Sequence, residues 1–540
     1  MSCKLCFQIA ALSTLGLLLV SCGQSDAPTQ PAGLTPSGGD GSTEPPPSPV
    51  GPAKITVSKE TTWVVAPIND RGRVDFIAAV NKLAGDGVTP EQNVVVPLVK
   101  ILGSGRENAE EHARFVQLLG IPEAPQKATG TVLQGDFVKS EGIKDADRFY
   151  ENCETAGSRP WKVSEFPDVD RWLKSCSSQL DACVQASELP RYYYPLVTAD
   201  LGDDEGGGEV ITLINTLLPL PQGCRDVARG LTARAMRAAG AGDVKAAQHD
   251  LLALYRLSRL LSQGETLIEC LVGISIESMA GDCVVAMINA GHLNGAGSRE
   301  WQAAIRALKP PAGIIRPVDQ VERLSAIEVL INLADHGPKV LAMASGSENR
   351  LGDVLIDSTA VDWDAALRRI NQRYDQLVAD FRIPKFSDRA TALAASNEEV
   401  RQDGEKSLTI LDRLLQGHGG EPTEAGEKLA NIVIALIMPA APQVHVAETR
   451  RKMKLDLVLL ALRINDYRVE HGKFPEHLEE LPGPAAPDDA FTGAPLIYKP
   501  TEKGVVLYAQ GADQSDSGGP RKNPNDTSDD LGFELVKRPS

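Results

Sequence analysis

The sequence predicts a mainly α-helical protein that closes in a small α+β module, and three observations predict it. Between Cys224 and Leu293 apolar residues return at helical spacing, interrupted only at "GAGD" and "SQGE". From about residue 442 a second long helical pattern runs to Gly472 and gives way to the short strand candidates "PLIYKP" and "GVVLYAQ". Hydrophobic residues make up 42% of the chain but aromatics only 5%, the balance of a soluble globular body.

The first element is an address. The chain opens "MSCKLCFQIAALSTLGLLLVSCGQ", with Lys4 as a positive start, an apolar run from Phe7 to Val20, and Leu19-Val20-Ser21-Cys22 as a small-residue processing site. That is the pattern of a bacterial lipoprotein signal. Residues 1–21 are expected to be removed and the Cys22 thiol to carry the lipid, holding the protein at a membrane through its acyl chains. An ordinary signal peptide cut near Ser21 is the alternative. Residues 22–53 are rich in Pro, Gly, Ser and Thr and lack an apolar period, so they read as a disordered tether. The expected location is the cell envelope, on the periplasmic face or the cell surface.

Residues 54–441 read as a helical body, with a subdivision near 125–190. The body begins with the strand-like "KITVSKETTWVVAP". In "VTPEQN" Thr89 is placed to cap a helix and Pro90 to occupy its first turn. Asp243 follows a glycine turn as an N-cap, and Leu251, Leu254, Tyr255, Leu257 and Leu261 form one apolar face. Short turns between such helices imply an irregular domain of antiparallel hairpins, while the absence of a period near 34 residues argues against a repeat array. Ile432 to Met438 is too short to span a bilayer and stops before Pro439, which suits a buried helix.

Residues 442–540 change pattern. Leu457, Leu460, Ile464 and Tyr467 share a helix face and Gly472 stops it; two strands and a polar tail with Asp513, Asp516, Asp529 and Asp530 follow. The order long helix, "HGKFP", "LEELP", "DDAFTGAPLIYK", "GVVLYAQGADQSDSGG", "SDDL" is similar to the periplasmic part of type II secretion major pseudopilins, over about the last hundred residues. Residues 60–335, through "GRVDFIAAVNKL", "VTPEQN", "YYYPL" and "LTARAM", resemble an uncharacterised family of planctomycete proteins, a resemblance that implies a lineage but no activity. A polymerising pilin carries its processing motif and apolar helix at the N-terminus, where this chain has its lipoprotein signal. The module is therefore expected to serve as a C-terminal cap.

The pseudopilin resemblance also implies calcium in the loop after the last strands. It carries over to Asp513, Asp529 and Asp530, with Asp516 as a nearby carboxylate; calcium takes oxygen ligands in adaptable geometry. Gln514 stands where the family usually has glycine, and "PRKNPNDT" adds two basic residues. A solvated acidic loop is the alternative.

The net charge of −17 disfavours a nucleic-acid partner, because phosphate binding needs a basic face. Of nine cysteines, Cys3 and Cys6 leave with the signal and Cys22 is lipidated. Cys153, Cys176, Cys183, Cys224, Cys270 and Cys283 remain, and export leads to the expectation of at least one bridge among them, with buried free thiols as the competing reading. The chain contains no HExxH, Walker loop, GxSxG elbow or dinucleotide fingerprint. In "ELPRYYYPL", Tyr192, Tyr193 and Tyr194 either line a glycan or peptide groove or plug a core. Asp362 and Asp364 read as a helix entrance. The function that follows is a non-catalytic, lipid-anchored envelope protein that binds another protein or an envelope polymer. The alternative is an envelope hydrolase whose site is assembled from distant residues.

Overall fold

The computed structural model describes residues 53–198, 218–337, 360–415, 421–438, 441–520 and 527–537, together with residues 213, 216 and 340. The signal, Cys22 and all but the last residue of the tether lie outside them. The protein is mainly helical, with one small antiparallel sheet. In chain order the helices are α1 (Phe76–Gly85), α2 (Val95–Leu102), α3 (Ala109–Leu119), α4 (Gln134–Glu141), α5 (Ala146–Ser158), α6 (Pro167–Ser175), α7 (Ser177–Ala186), α8 (Pro219–Gly240), α9 (Val244–Leu261), α10 (Leu267–Asn289) and α11 (Gly295–Arg306). A π-helical turn, Val318–Glu322, leads into α12 (Arg323–His336), followed by α13 (Trp363–Phe381), α14 (Phe386–Leu415), α15 (Pro422–Ile437) and α16 (Ala441–His471). The sheet strands are β1 (Ile497–Pro500), β2 (Gly504–Ala509) and β3 (Leu531–Val536).

The chain divides into two compact units, one of residues 1–65, 325–373 and 397–443, the other of 66–324, 374–396 and 444–540. One break falls at 443/444, beside the expected 442, and the residues after it join an earlier part of the chain. Residues 444–540 share a unit with α1 to α11, because the middle of α16 is buried on more than one face: Leu457, Val458, Leu460, Ala461, Leu462 and Ile464 are all at most 1% exposed. Only one face had been expected to be covered. Polar residues anchor the others: Asn465 Nδ2 donates to Ser298 Oγ at 2.7 Å and Arg299 pairs with Asp466 at 2.5 Å, tying α16 to α11.

In the larger unit α8, α9 and α10 pack on one another and α5 lies on α8. The breaks fall where the turn residues placed them. Asp243 accepts from Ala246 N at 3.0 Å to start α9, and a Thr266–Glu269 capping box starts α10. Leu251, Leu254, Tyr255, Leu257 and Leu261 are buried, each contributing about 1.5–3 kcal/mol through the area it removes from water. "VTPEQN" departs from expectation: Thr89 caps no helix with its side chain, Pro90–Gln92 is a single 3₁₀ turn, and α2 begins at Val95, where Asn93 Oδ1 accepts the Val95 N–H at 3.1 Å.

The sheet has the order β1-β2-β3, with Leu507 opposite Tyr498 on one side and Phe533 on the other. β3 replaces part of the polar tail. Its outer edge is covered by the Asn289 side chain, which donates to Glu534 O at 2.9 Å and accepts from Val536 N at 3.1 Å, as a neighbouring strand would.

In the smaller unit the strand-like start of the body forms no strand among the described residues. Asn371 Nδ2 holds the carbonyls of Glu60 and Thr61, both at 2.9 Å, and the Thr62 hydroxyl donates to Ser58 O and Val64 O. Side chains thus take the hydrogen bonds that a partner strand would supply. Arg373 joins Glu399 and Asp403, while Asp362 caps α13 by accepting from Ala365 N at 2.9 Å, the expected helix entrance. Leu429, Val433 and Ile434 bury α15 as expected.

Candidate functional site

The site is built around an extended segment, residues 191–197, that hydrogen-bonds mainly to side chains. Asn93 bonds both backbone groups of Tyr193, accepting from its N–H at 3.0 Å and donating to its carbonyl at 2.8 Å. Asn81, on α1, does the same for Leu196 at 2.8 and 2.7 Å. Backbone bonds from Arg191 N to Gln92 O and from Val94 N to Arg191 O extend the pairing. Beyond it, buried Arg106 donates to Val197 O at 3.2 Å and lies over the Phe115 ring at 5.0 Å. A carboxamide carries the same donor and acceptor as a peptide group, so each asparagine acts as one rung of a ladder.

This clamp joins three separate stretches, "GRVDFIAAVNKL", "VTPEQN" and "YYYPL", around a cavity of about 320 Å³. Its lining runs from Asn81, Lys82 and Gly85 through Asp86, Gly87, Val88, Thr89 and Pro90, and is completed by Asn93, Leu118, Leu119 and Tyr193. Tyr193 packs over Gly85, where an added Cβ would stand 3.1 Å from the ring. Burial pushes its phenol up to about 12, so it is a neutral hydroxyl at ordinary pH. The asparagine amides are spent on the frame. Asp86, Thr89, Lys82, the Tyr193 hydroxyl and the turn backbone are the polar groups at the cavity.

Tyr193 alone of the three tyrosines lines this cavity, so the groove and core readings divide among the three. Tyr192 is 4% exposed and donates its hydroxyl to Glu269 Oε1 at 2.7 Å, while Tyr194 is 5% exposed with its ring 5.2 Å from Phe115. Consecutive residues of an extended segment point to opposite sides, so one of three adjacent rings faces the cavity and two face the core.

The four aspartates of the calcium expectation do not combine. Asp529 pairs with Arg450 and accepts from Ala512 N at 2.6 Å and Asp513 N at 3.2 Å. Asp516 accepts from the Tyr508 hydroxyl and Gly518 N, each at 2.8 Å, and from Lys499 at 3.2 Å; Asp513 accepts from Ser515 N at 3.0 Å. One oxygen of Asp530 is buried without a hydrogen-bond partner, and burial raises that carboxyl. Among the described residues no three metal-binding side chains come together to hold an ion. Asp529 and Asp516 are turned to cations and amides of their own chain.

The six body cysteines are all free and buried, and burial raises every thiol. The expected bridge is absent among them. His471 stacks on Tyr467 at 4.0 Å and His477 opens the 3₁₀ turn Leu478–Glu480, so both serve the end of α16.

Acidic groups converge at the start of α10 instead. Glu269 accepts from Thr266 N at 3.0 Å, Glu265 pairs with Arg316, and Glu322, the last residue of the π-helical turn, accepts from Leu267 N–H. Burial pushes both Glu265 and Glu322 up to about 7. For Glu322 the folded value lies above the ordinary 4.5, so its contribution to stability is full below about pH 4.5 and is lost as pH rises through about 7. Glu322→Gln keeps an acceptor for Leu267 and removes the charge. It is expected to raise the unfolding free energy near pH 8 by about 2 kcal/mol and to change nothing near pH 4. Denaturant titrations at both pH values check this, and identical curves for parent and variant near pH 8 would mean that the carboxylate is solvated.

Comparison with protein-family models, with curated proteins and with solved structures finds no match to this chain. Sequence reasoning missed Asn81 and Asn93, the residues that frame the cavity. The signal available was their position in two of the quoted motifs, since a lone asparagine in a helical or turn pattern announces no tertiary partner.

Proposed function

We propose that this protein is a lipid-anchored component of the cell envelope, held through Cys22, with a binding role and no catalytic one. The observation that carries the binding reading is the cavity beside Tyr193, whose frame is built from distant segments by paired asparagine bonds. Frames held this firmly suit recognition, which depends on preorganised polar groups in a concave site. Glu265 and Glu322, the carboxyls that burial pushes up to about 7, are absent from that lining.

The finer architectural readings belong to the same proposal. The helical body is an array of helix hairpins, and residues 442–540 are a pseudopilin-like element reused as a cap. The last helix and three strands support that element order, and its burial against α10 and α11 fits a cap better than a polymer subunit. The resemblance to planctomycete proteins over residues 60–335 supplies the proposed lineage.

Anchoring is tested at Cys22, because serine lacks the thiol that accepts the lipid. Cys22→Ser is expected to accumulate as unprocessed precursor and to incorporate no labelled fatty acid. If the parent protein itself partitions into the aqueous phase of a detergent extraction and takes up no label, the anchoring reading fails.

A further inference from the structure

The segment 312–322, which follows α11, is tied down at four points around the turn between α9 and α10. Ala312 N donates to Ser262 Oγ at 3.0 Å and Ile314 N to Glu448 Oε1 of α16 at 3.2 Å, while Arg316 pairs with Glu265 and Glu322 accepts from Leu267 N–H. Three of these four ties are made by carboxyl groups. At two of them the charge is poorly matched. Glu265 is 7% exposed and has one oxygen buried without a hydrogen-bond partner, while the side chain of its cation, Arg316, is 48% exposed. Glu322 ends a π-helical turn, a rare form that recurs at functional sites, and meets a backbone N–H.

The surroundings supply little further positive charge. Segment 191–197 contributes the Tyr192 hydroxyl, which donates to Glu269; α10 contributes Glu269 and the Cys270 thiol; and α16 contributes Glu448, with Arg451 acting on the same thiol. From α13 the buried Tyr374 phenol faces Glu322, and Arg323 beside it pairs with Asp319 and Asp375 at 2.6 and 2.8 Å. An ionised carboxylate kept from water in such a place is costly, and lifting the segment hydrates it.

We infer that residues 312–322 form a pH-sensitive strap, closed on the α9–α10 turn while Glu265 and Glu322 are protonated and lifted when both are ionised.

In the closed strap each of these two carboxyls keeps its proton up to about pH 7, whereas a hydrated glutamic acid loses it near the ordinary 4.5. Between pH 6 and pH 8.5 that difference weakens closure about tenfold for each carboxyl, or about a hundredfold for the two. The test is hydrogen exchange of the full mature chain at both pH values, read by mass spectrometry and corrected for the intrinsic pH dependence of amide exchange. Protection of residues 312–322 is expected to fall about a hundredfold in the parent, about tenfold in Glu265→Gln and in Glu322→Gln, and not at all in the double variant, while the middle of α9 and of α10 keeps its protection. Glutamine retains an acceptor for Arg316 and for Leu267 N–H, so the closed contacts survive the substitutions. If the double variant does not fold, the two single variants carry the same test. Unchanged protection in the parent, or an equal fall in parent and variants, overturns the strap. So does an equal loss in the middle of α9 and α10, which would mean that the acids loosen the whole unit.

Discussion

A fragment comprising residues 442–540 is expected to be unfolded or aggregated, with no cooperative thermal transition. As a sequence it has the length and element order of a small domain. In the folded chain, however, the middle of α16 is buried on more than one face. Val458 lies against Gly281 of α10, where an added Cβ would meet it at 3.1 Å, and Lys454 donates to Ser278 at 2.6 Å and pairs with Asp282 at 2.7 Å. Arg468 donates to Val536 O at 2.8 Å, but Asn465 and Asp466 depend on α11. Cutting the fragment out exposes the apolar part of that surface and strands two buried polar groups. Together these losses are on the order of 5–10 kcal/mol, as large as the stability of an ordinary domain. Circular dichroism and size-exclusion chromatography of the fragment beside the mature chain check the result. A monodisperse fragment with a sharp melting transition would show that the sheet alone suffices to hold α16.

The second large effect concerns His445. Its ring is fully buried, stacks on Phe386 at 4.5 Å, and neither nitrogen makes a hydrogen bond of ordinary geometry. Phe491 closes on Phe386 at 4.9 Å; Arg389 on α14 is the cation facing this group, and Glu448, one turn along α16, is the nearby acid. Burial first, and then Arg389, lowers the imidazole from its ordinary 6.5 to about 4. A depressed folded value means that the unfolded chain takes up the proton first. The stability contributed by neutral His445 is therefore present above about pH 6.5 and is lost as pH falls to about 4, by on the order of 2–3 kcal/mol. Glu322 and Glu265 act in the opposite direction over part of that range, so the comparison must be between variants. His445→Phe, which keeps a ring against Phe386, is expected to unfold at the same denaturant concentration near pH 5 and near pH 7 once the shared acid terms are subtracted. A parent and variant that lose stability in parallel below pH 6.5 would show that His445 is hydrated.

Much of the local structure was legible. Capping residues, glycine stops and apolar periodicity act within one or two turns of chain, so Asp243 began a helix and Gly472 ended one where their chemistry requires it. β3 was missed because "LGFELV" is short and follows a run of acids, and its strand character depends on β2 on one side and Asn289 on the other. The partners of the acidic tail were illegible for a related reason. A row of aspartates has the same appearance in sequence whether it faces an ion or its own amides, and the deciding partner of Asp529 is Arg450, far away in the chain.

By itself the sequence determined the helical class, the helix starts at Asp243 and Asp362 and the stop at Gly472, the two short strands after Gly472 and the export-type pattern before Cys22. Each depends on neighbours within a few residues or on composition. Only the tertiary structure decided that residues 444–540 share a unit with α1 to α11, that Tyr193 meets a cavity while Tyr192 and Tyr194 meet the core, and that Asn81 and Asn93 are its frame. Those outcomes depend on groups about a hundred or more residues apart coming within 3 Å, and a hydrogen-bond partner at that separation leaves no period in the chain.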